Sequence, residues 1–104
     1  MIRHMVLTKF KPETDETTIR HIFDGLCALV ATLPGASGFV AGPSESPEQM
    51  ERGYTHAFVI DFECWAALET YAVHPDHLAL GAILVDNTVG GIDGLLVLDL
   101  DVRV

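Results

Sequence analysis

Basic residues are scarce in this sequence. Six Lys and Arg stand against fifteen Asp and Glu, a formal net charge of −9 over 104 residues. Phosphate backbones and anionic lipid surfaces are bound through clustered Lys and Arg, so neither nucleic acid nor membrane is an expected partner. The acidic excess reads as the solubilising charge of a small surface. Cysteine is nearly missing. Cys27 and Cys64 are not at a Cys-x-x-Cys spacing, which excludes a disulfide scaffold and fits a reducing compartment. Cys27 lies in an apolar helical stretch and reads as core filler. No apolar run reaches the ~20 residues of a membrane span, and Met1-Ile2-Arg3-His4 opens no long signal segment. A cytoplasmic protein is expected. Serine nucleophile motifs, phosphate loops and dinucleotide fingerprints are all lacking.

What is present is a globular composition, 49% apolar and 20% charged, in a chain of ordinary single-domain length with neither repeats nor linkers. Residues 1–104 are therefore expected to form one domain. Ile2 to Phe10 alternates as a strand, ended by Lys11-Pro12. Thr14, Asp15 and Thr17 offer helix N-caps, with Glu16 in the first turn. Ile19, Ile22, Phe23, Leu26, Leu29, Val30 and Leu33 then recur at helical spacing until Pro34-Gly35. Ser37 to Ala41 reads as a short strand. Gly42 to Gly53 is a polar, breaker-rich connection and a candidate binding loop. Tyr54 to Phe62 is a third strand. Cys64 to Ala72 reads as a helix, Pro75 to Val85 as another begun by its proline, and Leu95 to Val102 as the last strand.

The order β-α-β-β-α-β is that of the split βαβ, ferredoxin-like motif, an α+β fold with its helices on one face of the sheet. The first and third strands are expected to be central and parallel. Both strand faces are apolar. The even-numbered set holds Ile2, Val6, Phe10, Phe58, Ile60, Phe62, Leu96, Leu98 and Leu100; the odd-numbered set holds Met5, Leu7, Ala57, Val59, Leu95 and Val97. Helices on one side leave the other in water, and such a patch marks an interface. A homodimer is the expectation. The even face, with His4, Thr8 and His56, is expected to meet the partner around an enclosed pocket, and the odd face to meet the helices.

Four of the five histidines are expected to converge. Parallel central strands would set His4 beside His56, and the returning helices would bring Tyr71, His74 and His77 to the same edge. His21 is expected on the surface. Imidazoles titrate near neutral pH, so a Tyr with a His suits proton transfer at a carbonyl. Mutual hydrogen bonding or helix capping would explain the same residues without catalysis. His74 and His77 lie three apart across a proline, weak ligand spacing, so no metal is expected.

Three segments carry a family resemblance: His4-Met5-Val6-Leu7-Thr8-Lys9-Phe10-Lys11, Gly53-Tyr54-Thr55-His56-Ala57 and Tyr71-Ala72-Val73-His74-Pro75-Asp76-His77. With Leu33-Pro34-Gly35, Gly42-Pro43 and Val97-Leu98-Asp99, they resemble the stress-responsive α/β-barrel (Dabb) family of the dimeric α+β barrel superfamily, over nearly the whole chain. The resemblance implies a ferredoxin-like protomer whose sheet forms a barrel with that of a second copy. The family includes a plant cyclase that closes a linear polyketide by aldol condensation without a cofactor. By that analogy Tyr71 and His77 are catalytic, with His77 holding Tyr71 and Tyr71 taking the proton beside a carbonyl. His4, His56 and His74 would support the pocket, no cofactor would be used, and the ligand would be a small apolar molecule. The alternatives are a non-catalytic stress-response or ligand-binding dimer, and an oxygenase as found elsewhere in the superfamily. Asp86 to Gly94 is more glycine-rich than the family's usual run into the last strand, and is expected to border the pocket.

Overall fold

A computed structural model describes residues 1–103 as a four-stranded antiparallel sheet with its helices on one face. The order is β1 (Ile2–Thr8), α1 (Glu16–Thr32), β2 (Ala36–Pro43), β3 (His56–Phe62), α2 (Trp65–Ala72), α3 (Pro75–Asp86), a 3-10 turn η1 (Gly91–Gly94) and β4 (Leu95–Asp101). In the sheet the strands lie β2-β3-β1-β4. This is the ferredoxin-like α+β fold expected from the element order. Among the described residues no helix is long and apolar enough to cross a membrane.

Local chemistry sets the boundaries. Asp15 caps α1, its Oδ1 accepting from the Thr18 amide at 2.8 Å, which satisfies one of the orphan donors of the first turn. His74 caps α3 through Nδ1, which accepts from the Asp76 amide at 3.0 Å, and Pro75 fills the first helical position. After β1, Phe10 bridges Thr88. Lys9 N–H donates to Gly94 O (2.8 Å) and Val89 N–H to Lys9 O (2.9 Å). The glycine-rich run after α3 is thus tied to the end of β1. Gly94 has no alternative there, since an added Cβ would lie 2.6 Å from Val89 O.

Two expectations about the sheet need correction. The central strands β1 and β3 are antiparallel, not parallel. The β1-α1-β2 crossover makes β1 and β2 parallel, and the β2-β3 hairpin folds β3 back between them, so β3 opposes both. His56 consequently pairs with Thr8 while His4 pairs with Ile60. Four residues of strand, about 13 Å at ~3.3 Å each, separate the two imidazole positions.

The faces are also exchanged. Helices cover the even face: Ile2, Val6, Phe58, Ile60 and Phe62 are buried with Ile19, Ile22, Phe23, Leu26 and Leu84. The odd face points outward. Even residues of β1 pair with odd residues of β4, as in His4 with Asp99 and Val6 with Val97. Leu96, Leu98 and Leu100 therefore join Met5, Leu7 and Val59 on the outer face, where all three leucines stay exposed. Cys27 is exposed as well, on the polar side of α1, and is not core filler.

Candidate functional site

The helix layer leaves a cavity of about 640 Å³ between α3, η1, β4 and the even face of β1 and β3. Its walls are Val6, Phe58, Leu78, Gly81, Ala82, Leu84, Val85, Ile92, Leu95 and Val97, with His4, His77 and Asp86 as the polar groups. The pocket thus lies between sheet and helices, not between two sheets as the face assignment from sequence predicts. Asp86 and Ile92 come from the 86–94 segment, which borders the cavity as expected.

His4 and His77 line this cavity, and Tyr71 packs against both without itself lining the wall. Tyr71, near the end of α2, is 1% exposed. Its ring centroid is 4.3 Å from that of His77, 5.9 Å from His4 and 5.3 Å from Phe62. The Tyr71 hydroxyl is buried without a hydrogen-bond partner. Burial pushes its pKa far above the ordinary phenol value, so the side chain stays a neutral O–H. His77, in the first turn of α3, donates from Nδ1 to Ala72 O at 2.9 Å. That bond fixes the tautomer and leaves Nε2 as the acceptor. Burial lowers the His77 pKa, against the raising effect of Ala72 O, with His4 and His74 lowering it further. The neutral imidazole is therefore the resting form. His4 donates from Nδ1 to Asp99 Oδ1 at 2.7 Å.

The remaining two residues are elsewhere. His74 spends Nδ1 on capping α3 and does not line the cavity. His56 shares the inner face but sits at the far end of the sheet, 5.1 Å from the Phe10 ring. It lines a separate groove of about 330 Å³ with Arg20, Asp24, Cys27 and Phe39. His21 is exposed, as expected. Asp99 is absent from the reading of the histidines, and it is the group that orients His4. Its signal is a lone carboxylate between Leu98 and Leu100, opposite a histidine once the β1-β4 register is known.

The His77 shift has a testable sign. Its folded pKa lies below the unfolded value of 6.5, so the unfolded chain binds the proton first as pH falls. Stability from this group is full above about pH 6.5 and declines as pH drops toward the folded pKa. Thermal unfolding at pH 7.5 and 5.5 should give a smaller loss of Tm for His77→Gln than for the parent. An equal loss in both would contradict the buried, neutral imidazole.

Comparison with known proteins agrees with this architecture. The profile of the Stress responsive A/B Barrel Domain family matches residues 2–101. A stress-response A/B barrel domain-containing protein of Arabidopsis thaliana is 31% identical over 98 residues, covering 94% of this chain and 86% of that protein. Olivetolic acid cyclase of Cannabis sativa is 28% identical over 82 residues, 79% of this chain and 81% of the enzyme. A crystal structure of a dimeric ferredoxin-like protein of unknown function from Jannaschia superposes with a TM-score of 0.91 at 37% identity, over 97% of this chain and 98% of the other. Matched along almost its whole length by the family profile, the chain belongs to the stress responsive A/B barrel domain family.

Proposed function

We propose that this chain is a homodimer whose inner cavity binds a small apolar carbonyl compound and performs cofactor-independent acid/base chemistry on it, of the polyketide-cyclase or aldol type. One observation carries the reading. A buried Tyr71 hydroxyl with no partner adjoins a tautomer-fixed His77 on the wall of an apolar cavity. A fully buried, unsatisfied hydroxyl costs about 1–3 kcal/mol, and such groups are retained where function uses them. The relation to olivetolic acid cyclase supports the reaction class.

The structural chemistry favours roles opposite to those the family analogy implies. Tyr71 is a hydrogen-bond donor, because burial holds it as a phenol. His77 Nε2 is the base. In the proposed step Nε2 removes a proton beside a carbonyl whose oxygen accepts from the Tyr71 hydroxyl. The resulting enolate carbon adds to a second carbonyl of the same molecule, forming the C–C bond as the C=O π bond opens to an alkoxide. The imidazolium then returns its proton to the new alkoxide. General acid/base groups contribute ~10²–10⁴-fold each.

Turnover of linear polyketones by the parent, Tyr71→Phe and His77→Gln tests this. Each variant should lose at least ~10²-fold in rate. Tyr71→Phe should also gain about 1 kcal/mol of stability as the orphan hydroxyl is removed, which separates lost chemistry from lost folding. Parent-like rates in both variants would refute the catalytic reading. One observation favours a second reading, a binding protein without catalysis: Tyr71 is only 1% exposed. Ligand binding by the parent with no turnover would select it.

The outer face supports the dimer. Val40 is 64% exposed and Leu96, Leu98 and Leu100 about half exposed, and they adjoin Met5 and Val59 on one side of the sheet. A contiguous apolar sheet face in water is what a second copy would cover. The Jannaschia structure is described as dimeric.

A further inference from the structure

We infer that the cavity selects an electrically neutral ligand and rejects carboxylates, phosphates and coenzyme A conjugates. This rests on the cavity being the ligand site, and it names the class of compound that enters. Among the described residues no Lys or Arg lines the cavity, and its one charged wall residue is Asp86. A second carboxylate, Asp99, stands directly behind His4.

The chain's few cations are committed elsewhere. Arg3 pairs with Asp61 at 2.9 and 3.3 Å on the outer face. Lys9 Nζ lies 4.7 Å from the centroid of the Tyr54 ring. Arg103 pairs with Asp101. Arg20 lines the separate groove beside His56. Lys11 and Arg52 are outside the cavity wall.

The backbone adds to the same sign. Asp86 is the last residue of α3, so its carboxylate stands at the negative end of the helix dipole, where Asn87 and Thr88 already donate to the Ile83, Leu84 and Val85 carbonyls. The helix's positive end is already used: His74 accepts from the Asp76 amide, and the acidic Asp76 stands in the first turn. Neutral His77 supplies no counter-charge. An anion entering these walls, more apolar than polar, would lose its hydration and gain no partner. A ketone, aldehyde or lactone carries no charge to desolvate and loses little, and its carbonyl can sit at the His77 end, where the Tyr71 ring packs on His77. From His77 to Asp86 is nine helical residues, about 13 Å at ~1.5 Å each. A chain of roughly nine carbons fits that span.

The test uses two nine-carbon probes, 2-nonanone and nonanoate, titrated into the full chain at pH 7.5 and followed by methyl NMR of Ile92, Val97 and Leu84. The ketone should bind at least tenfold tighter than the acid, about 1.4 kcal/mol. Asp86→Lys should narrow that ratio at least fivefold. Nonanoate binding as tightly as the ketone, or a ratio unmoved in Asp86→Lys, overturns the inference while leaving the cavity as the ligand site. Binding of neither probe overturns both. Ketone binding without turnover of any carbonyl compound upholds the charge selection and removes only the catalytic reading.

Discussion

Val59→Asp is expected to leave the chain folded but monomeric. Val59 stands near the middle of the outer face, paired with Met5 on one side and Val40 on the other. Met5 in turn pairs with Leu98. The substitution puts a carboxylate in the middle of this apolar set, and in a two-fold dimer it appears twice. Two like charges, desolvated and without partners, cost several kcal/mol. A rise in the dissociation constant of at least 10²-fold, about 2.7 kcal/mol, follows. Folding should survive, because the side chain points away from the helices. Light scattering at micromolar concentration should report one protomer for the variant and two for the parent. A dimeric variant would place the interface somewhere else.

Phe62→Ala is expected to have the largest effect on stability. Phe62 is fully buried at the end of β3, paired with Ile2 and Ala36. Its ring lies 5.3 Å from that of Tyr71 and 6.1 Å from that of His4. Truncating a buried Phe costs about 3–5 kcal/mol, a large part of the 5–15 kcal/mol available to a domain of this size. The same ring holds Tyr71 against His77, so ligand binding should fall along with Tm. Chemical denaturation measures the first and NMR titration with 2-nonanone the second. A loss under 1 kcal/mol would mean that the core is not packed as described.

Element order was readable because each element carries its own signal. Asp15, Pro75 and the heptad-like run from Ile19 to Leu33 mark helices by local chemistry alone, and the structure places α1 and α3 on them. The β-α-β-β-α-β order then gives the fold. What sequence pattern left open was direction and side. Strands β1 and β3 are apolar on both faces, so alternation says that a face exists without saying which one the helices take. Parity does not carry across a ladder either: Leu98 is even-numbered and pairs with Met5. Both errors propagated to the site. Antiparallel β3 carries His56 away from His4, and the exchanged faces move the pocket from between two copies to beneath α3. Tyr71, His4 and His77 still came together, because α2 and α3 return over the His4 end of β1. The loss of His74 to helix capping has the same local origin as its attraction as a site residue: a His just before Pro75 is well placed to accept from the first turn.

Ligand is expected to enter under α3, with the outer face left to the second copy. A crystal structure of the chain with 2-nonanone tests both parts at once. The ketone should lie between α3 and β4, its oxygen near His77 and its tail toward Ile92, with Met5, Val59 and Leu98 buried against a second protomer. A ketone lying between the two sheets, against Met5, Val59 and Leu98, would contradict it.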